Sequence, residues 1–264
     1  MSLKSSMNRV MMTLLAGFLL WAAPGQAAPI STGELILNGG FQTSGGAVSL
    51  ASWTQGGTVN GRLSTNTINT SGGNAGFNSF FTSAFGVLGD SAGVIGGAPD
   101  NGGIHSISQS IILPALWGGF AIESYDLTVN FRTAFDGRDD NTTSTVGPRP
   151  DSFSANLGGI SLFTQSSLNF PSGAPSTGSP NNQLVNDSLT AFLFGMTPGS
   201  YLLTFTLFED NGTGVRTTNT AAGIDNVSIT GFANPTPVPE PGTLLLLGGG
   251  LAALALFGRR AGRK

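Results

Sequence analysis

Between residues 28 and 233 the apolar side chains gather in short runs, most of them with a spacing of two residues, broken by Gly, Ser, Thr, Asn and Pro. A period of two belongs to β-strands, whose successive side chains point to opposite faces. The clearest run is Phe120 to Phe135, where Leu127, Val129 and Phe131 share one face. Ile104 to Leu113 sets Ile104, Ser106, Ser108, Ser110 and Ile112 against Ile107 and Ile111 on the opposite parity. Gly33–Leu37, Phe77–Phe85, Phe153–Phe163, Ser188–Phe194, Tyr201–Glu209 and Gly223–Phe232 read as further strands. Asp136 to Pro150 and Pro171 to Pro180 read as loops, from their Asp-Gly, Ser, Gly and Pro punctuation. No stretch before residue 240 has the spacing of a long amphipathic helix. Many strands without intervening helices predict an all-β domain, a jelly roll or β-sandwich, over residues 28–233.

The two ends are different in kind. Lys4 and Arg9 precede a nearly continuous apolar run, Val10 to Ala23, and Gly25-Gln26-Ala27 then supplies small residues. That order reads as a signal peptide over residues 1–27, cut after Ala27 by a signal peptidase. Residues 234–242 form a Pro-rich linker. Thr243 to Phe257 is an apolar segment of 15 residues, about 22 Å long as a helix. A bilayer core needs roughly 20 residues. Segment 243–258 nevertheless reads as a short transmembrane helix, its reach extended by snorkelling of Arg259 and Arg260. The basic tail, residues 259–264 with Arg259, Arg260, Arg263 and Lys264, is predicted to stay cytoplasmic. Residues 28–237 are then expected on the far side of that membrane.

Charge and composition narrow the function. Residues 28–237 hold five Arg, no Lys and thirteen carboxylates, a net charge of about −8. Such a surface is wrong for nucleic acid, which needs a basic footprint. The chain has no cysteine and one histidine, His105. A zinc site needs three or four Cys, His or carboxylate ligands, so zinc is disfavoured and His105 reads as structural. A Ser–His–acid triad on His105 is formally possible and is disfavoured for want of a Gly-x-Ser-x-Gly nucleophile elbow. Glu123, Asp126, Glu209 and Asp210 are candidates for the paired carboxylates of a glycan hydrolase, although solvated acids at strand ends are the simpler reading. For sugar binding, aromatic platforms are expected among Trp53, Trp117, Tyr125 and Tyr201. Trp117 beside Gly118-Gly119 and Tyr125 are the chosen ligand-binding candidates, with Trp53 assigned to the core.

Two resemblances add to this. Val238-Pro239-Glu240-Pro241, the short Gly-rich apolar stretch and the terminal Arg cluster together resemble the PEP-CTERM sorting signal of Gram-negative bacteria. The resemblance implies cleavage by an exosortase near Pro239-Glu240-Pro241 and transit to the cell surface or extracellular space. Its usual setting is exopolysaccharide and biofilm. Asn38-Gly39-Gly40-Phe41-Gln42 ahead of Trp53, with Asp225-Asn226-Val227 at the start of the last strand, resembles the jelly-roll domains of carbohydrate-binding modules. That likeness implies a calcium site joining the two ends of the domain through Glu34, Asn38 and Asp225. Asp136-Gly137-Arg138-Asp139-Asp140-Asn141 is a second run of oxygen donors suited to calcium. The expectation is a non-catalytic exported protein that contacts extracellular polysaccharide. An envelope-associated hydrolase and a purely structural passenger are the alternatives.

Overall fold

A computed structural model of the 264-residue chain describes residues 27–42, 44, 46, 49–57, 77, 80–81, 83–89, 103–136, 151–166, 184–209, 221–237, 246–251, 253–254 and 258. The signal peptide apart from Ala27, the motif Val238–Pro241, the tail residues Arg259, Arg260, Arg263 and Lys264, Asp210, and residues 137–141 of the second calcium run lie outside them.

Among the described residues eleven strands form two antiparallel sheets, the expected β-sandwich. The strands are β1 (Ile30–Ser31), β2 (Thr54–Gly57), β3 (Gly86–Gly89), β4 (Gly103–Leu113), β5 (Leu116–Trp117), β6 (Phe120–Asp136), β7 (Ser152–Leu157), β8 (Ile160–Ser166), β9 (Leu184–Met196), β10 (Gly199–Glu209) and β11 (Ala221–Pro235). One sheet runs β1-β11-β6-β5, with β3 also on β11 and β9 also on β6; the other runs β2-β4-β10-β7-β8. The parity visible in the sequence sets the two faces. Leu127, Val129 and Phe131 of β6 meet Leu203, Phe205 and Leu207 of β10 and Ile107 and Ile111 of β4 in one core. Phe131 contacts Phe205 edge-on at 5.3 Å between ring centroids, and Phe135 stacks on Phe153 at 6.3 Å. Aromatic contacts therefore join the sheets. His105 is buried on the inward parity of β4, as a structural residue would be.

Three readings need correction. Phe153–Phe163 is not one strand but a hairpin of β7 and β8, turning at Gly158-Gly159 with φ +56° and +87°. Two consecutive positive φ values are what a tight hairpin turn demands, and glycine supplies them without strain. Phe77–Phe85 is not a strand: Phe77 and Phe80 are helical and the Phe81 N–H donates to the Phe77 carbonyl. The rings at 77, 81 and 85 recur every fourth residue, a helical spacing. With Val87, Ala134 and Ala221 they make a second small core on the outer face of the six-stranded sheet. Gly33–Leu37 is not a regular strand either. It runs along β11 through two bonds, Thr32 N–H to the Gly231 carbonyl and Leu35 N–H to the Ile229 carbonyl.

The two short motifs at the ends of the domain meet. The Val227 N–H donates to the Gly39 carbonyl at 3.0 Å. A Cβ on Gly39 would lie 1.8 Å from the Val227 carbonyl oxygen, so only glycine allows this approach. Asn38, Phe41 and Asn226 all take positive φ around the contact, and β11 bulges between Asp225 and Ser228. Phe41 is the costly one of the three. Its buried ring, stacked on Trp53 at 5.2 Å, holds it there. Gln109 of β4 completes the closure: its side-chain oxygen accepts from the Leu37 N–H and its amide donates to the Leu37 carbonyl.

At the C-terminus the described residues 246–251, 253–254 and 258 are helical. Among the described residues no helix is long and apolar enough to cross a membrane. The apolar run falls short of the roughly 20 residues a span needs.

Candidate functional site

Each of the expected calcium ligands accepts hydrogen bonds from within the chain. Glu34 Oε1 accepts from the Ile36 and Ile229 N–H groups, and Oε2 from the Ser228 hydroxyl. Asn38 Oδ1 accepts from the Gln42 N–H, while its amide donates to the Ser49 and Ala51 carbonyls. Asp225 is fully buried; its oxygens accept from the Asn226 N–H and the Ser83 hydroxyl. Burial raises its carboxyl above the usual carboxylate value, against smaller opposing effects of those two bonds and of Arg132. The expected closeness of the first segment and the last strand is real, and hydrogen bonds join them. Among the described residues no group of three or more His, Asp and Glu converges on a metal position.

The aromatic candidates separate by parity. Tyr125 is corrected: it is buried with Leu127 and Val129, and its hydroxyl donates to the Pro114 carbonyl. It offers no face to a ligand. Trp53 is core as expected, with its indole N–H donating to the Asn38 carbonyl at 3.0 Å. Trp117 stands half-buried on the β5–β6 hairpin, edge-on to Tyr125 at 6.3 Å. Tyr201 packs beside Gly158 and bonds through its hydroxyl to Thr197.

Of the carboxylate candidates, Glu209 of β10 stands apart from Glu123 and Asp126 of β6. Both oxygens of Asp126 are engaged, by the Gly195 N–H and the Asn234 amide. Glu123 is exposed near the start of β6, whereas Glu209 ends β10. Because Phe131 faces Phe205, and Phe135 faces Phe153, which pairs with Leu207, Glu209 lies level with the far end of β6. Nine residues of strand separate that end from Asp126, about 30 Å. A glycosidase pair stands roughly 5–9.5 Å apart. A Gly-x-Ser-x-Gly run does occur, Gly89-Asp90-Ser91-Ala92-Gly93. A nucleophile elbow sits on a strand-to-helix turn in an α/β sheet. Gly89 instead closes β3, antiparallel to β11, and residues 90–93 lie outside the described ones.

The arrangement that sequence reading missed is the outer face of the six-stranded sheet. The phenylalanine cluster of residues 77–85 covers one end of it. Arg132 pins that cover, donating to the Phe80 carbonyl and lying 4.6 Å over the Phe80 ring. The other end is open. Phe192 and Phe194 of β9 stack there, nearly parallel at 9° and 6.4 Å apart, 62% and 77% exposed. Phe232 of β11 is 53% exposed on the same face. It stands across β6, two strand spacings or about 10 Å away. Between these rings the register sets Asp126 beside Phe232, Thr128 beside Phe192 and Thr230, and Asn130 beside Thr190. The Thr190 hydroxyl donates to Asn130 Oδ1 at 2.8 Å. The result is flat aromatic surface interleaved with hydroxyl, amide and carboxylate groups.

Solved structures similar to this chain include the enzymatically active domain of tailspike protein 4 from bacteriophage CBA120. The identity is 12% and the TM-score 0.39, with 75% of this chain and 21% of that one covered. This chain thus spans about a fifth of the tailspike chain. A mannan-recognising carbohydrate-binding module, TmCBM27, has 11% identity and a TM-score of 0.36, over 78% of this chain and 99% of that one. The carbohydrate-binding module CBM36, solved with calcium and xylotriose, has 14% identity and a TM-score of 0.24, covering 68% and 98%. The comparison with curated proteins gave no match. Over residues 237–263 the sequence matches the family model of the PEP-CTERM protein-sorting motif, and the chain carries that motif.

Proposed function

We propose that this is a non-catalytic cell-surface or extracellular-matrix protein whose β-sandwich holds extracellular polysaccharide on the open outer face of its six-stranded sheet. A signal peptidase removes residues 1–27, the short apolar segment holds the precursor in the inner membrane, and an exosortase releases it. The sorting motif supports export through a membrane-anchored, exosortase-processed precursor. The observation that carries the binding reading is the stacked Phe192–Phe194 pair beside Thr128, Asn130 and Thr190. Aromatic faces stack on the C–H faces of sugar rings, and neighbouring hydroxyl and amide groups bond their hydroxyls. The net negative charge favours neutral glycans over polyanions. The test is retention of the mature protein on a panel of immobilised polysaccharides, with release of soluble sugar measured alongside. Retention without release, lost in a Phe192→Ala/Phe194→Ala double variant that melts like the parent, is the expected result. Product release would establish the hydrolase instead, and retention on no polysaccharide would leave a structural passenger.

A further inference from the structure

The point where the chain leaves the sandwich is marked by apolar side chains. Thr236 is tied to the β5–β6 hairpin twice, its N–H and its hydroxyl both donating to the Ala121 carbonyl. The sorting motif match begins at residue 237, the next residue. That same hairpin carries Leu116, 67% exposed, Phe120, 47% exposed, and the half-buried Trp117. Ile112 at the end of β4, Leu202 of β10 and Ile160 after the neighbouring turn are exposed at this end too; the Gly158 N–H donates to the Leu202 carbonyl. At the opposite end the large exposed apolar side chains among the described residues are Ile104 and Val185. From Thr236 to Thr243, where the apolar segment starts, the chain has seven residues. Whatever their conformation, they span at most about 25 Å.

We propose that the β5–β6 hairpin is a lipid-contacting surface, seated on the outer leaflet of the inner membrane while the C-terminal segment anchors the precursor. This rests on the anchoring reading given above. The tether is too short for the domain to stand far from the bilayer, and it leaves beside the hairpin. A tryptophan with an aliphatic and an aromatic neighbour on a Gly-Gly turn suits the headgroup region, where amphipathic rings collect. Glu123 and Asp126 are the charged groups near this end, and no Lys or Arg stands there among the described residues. The contact is therefore apolar: it needs no anionic lipid and persists in high salt. Its consequence is a staged release. Cutting the tether leaves a hairpin whose three side chains bind a bilayer too weakly to hold the domain alone.

The test uses the signal-processed precursor, residues 28–264, whose tryptophans are Trp53 and Trp117. It is reconstituted into phosphatidylcholine vesicles with and without brominated acyl chains. Flotation with the vesicles reports anchoring; loss of emission in brominated lipid reports the hairpin. Buried Trp53 stays bright while Trp117 loses at least half its emission, in low and high salt alike, and Trp117→Phe removes the quenched component. Leu116→Ser/Phe120→Ser should still float but lose the quenching. A chain that floats with Trp117 unquenched overturns the lipid contact and leaves the anchor standing. If it also runs as a dimer in detergent, a second copy covers the hairpin. A chain that does not float overturns both.

Discussion

Replacing Gly39 by alanine is the sharpest test of how the two ends of the domain are joined. The added Cβ would sit 1.8 Å from the Val227 carbonyl oxygen, 2.8 Å from its carbon and 3.2 Å from the Ile36 side chain. The first two are backbone atoms of a strand paired to β6, so no rotamer change relieves the clash. Residues 34–39 must move away from β11, which stretches the Val227–Gly39 bond and the Glu34 bonds to Ser228 and Ile229. Forced backbone shifts cost about 1–3 kcal/mol, and one lost internal hydrogen bond roughly 1 kcal/mol. The sum is about 2–4 kcal/mol, which at roughly 2–4 °C per kcal/mol for a domain of this size lowers Tm by about 5–15 °C. Gly40→Ala is the matched control, because a Cβ there meets only the Gln42 amide at 3.8 Å. It should change stability by under about 0.5 kcal/mol. Circular dichroism gives Tm, and Trp53 emission reports the site, since its indole donates to the neighbouring Asn38 carbonyl. If Gly39→Ala melts with the parent, or Gly40→Ala falls equally far, the close approach is not what joins the ends.

Asp225 gives a pH test with a definite sign. Its folded-state pKa is raised, chiefly by burial, so the folded protein holds this proton to higher pH than the unfolded chain does. Stability from this group is fully present below the unfolded value and falls as pH rises through the folded one. Asp225→Asn removes that slope, so the variant should gain on the parent across the interval in urea melts; parallel curves would contradict it. Calcium should leave the Tm of the mature protein unchanged, because the oxygens of Glu34 and Asp225 and Oδ1 of Asn38 already accept bonds within the chain. A calcium-dependent rise in differential scanning calorimetry would show that those bonds yield to the ion.

Parity explains both what the sequence disclosed and what it withheld. β4, β6, β10 and β11 each carry apolar residues mainly on one face, so their inward sides were readable from alternation alone. Tyr125 was readable too. It shares odd parity with Leu127, Val129 and Phe131, and placing those three inward places its ring inward with them. Residue type alone makes it a platform candidate, whereas its strand phase puts it in the core. β9 defeats the same rule. Leu189, Ala191 and Leu193 lie on one parity and Phe192 and Phe194 on the other. Either set could have faced the core. The structure packs the smaller side chains, half-buried, against the core and leaves the larger rings outside, an inversion of what apolar area alone would select. Burial of Phe192 and Phe194 would require β9 to shift by one residue against β6, which would turn Leu189, Ala191 and Leu193 out to solvent. The observed register therefore leaves two adjacent rings in water on an edge strand, where Thr or Ser would serve the fold as well. That cost is the reason to look for a ligand on this face rather than at Trp117. Trp117 has a nearer candidate neighbour in the membrane from which its own chain must be cut.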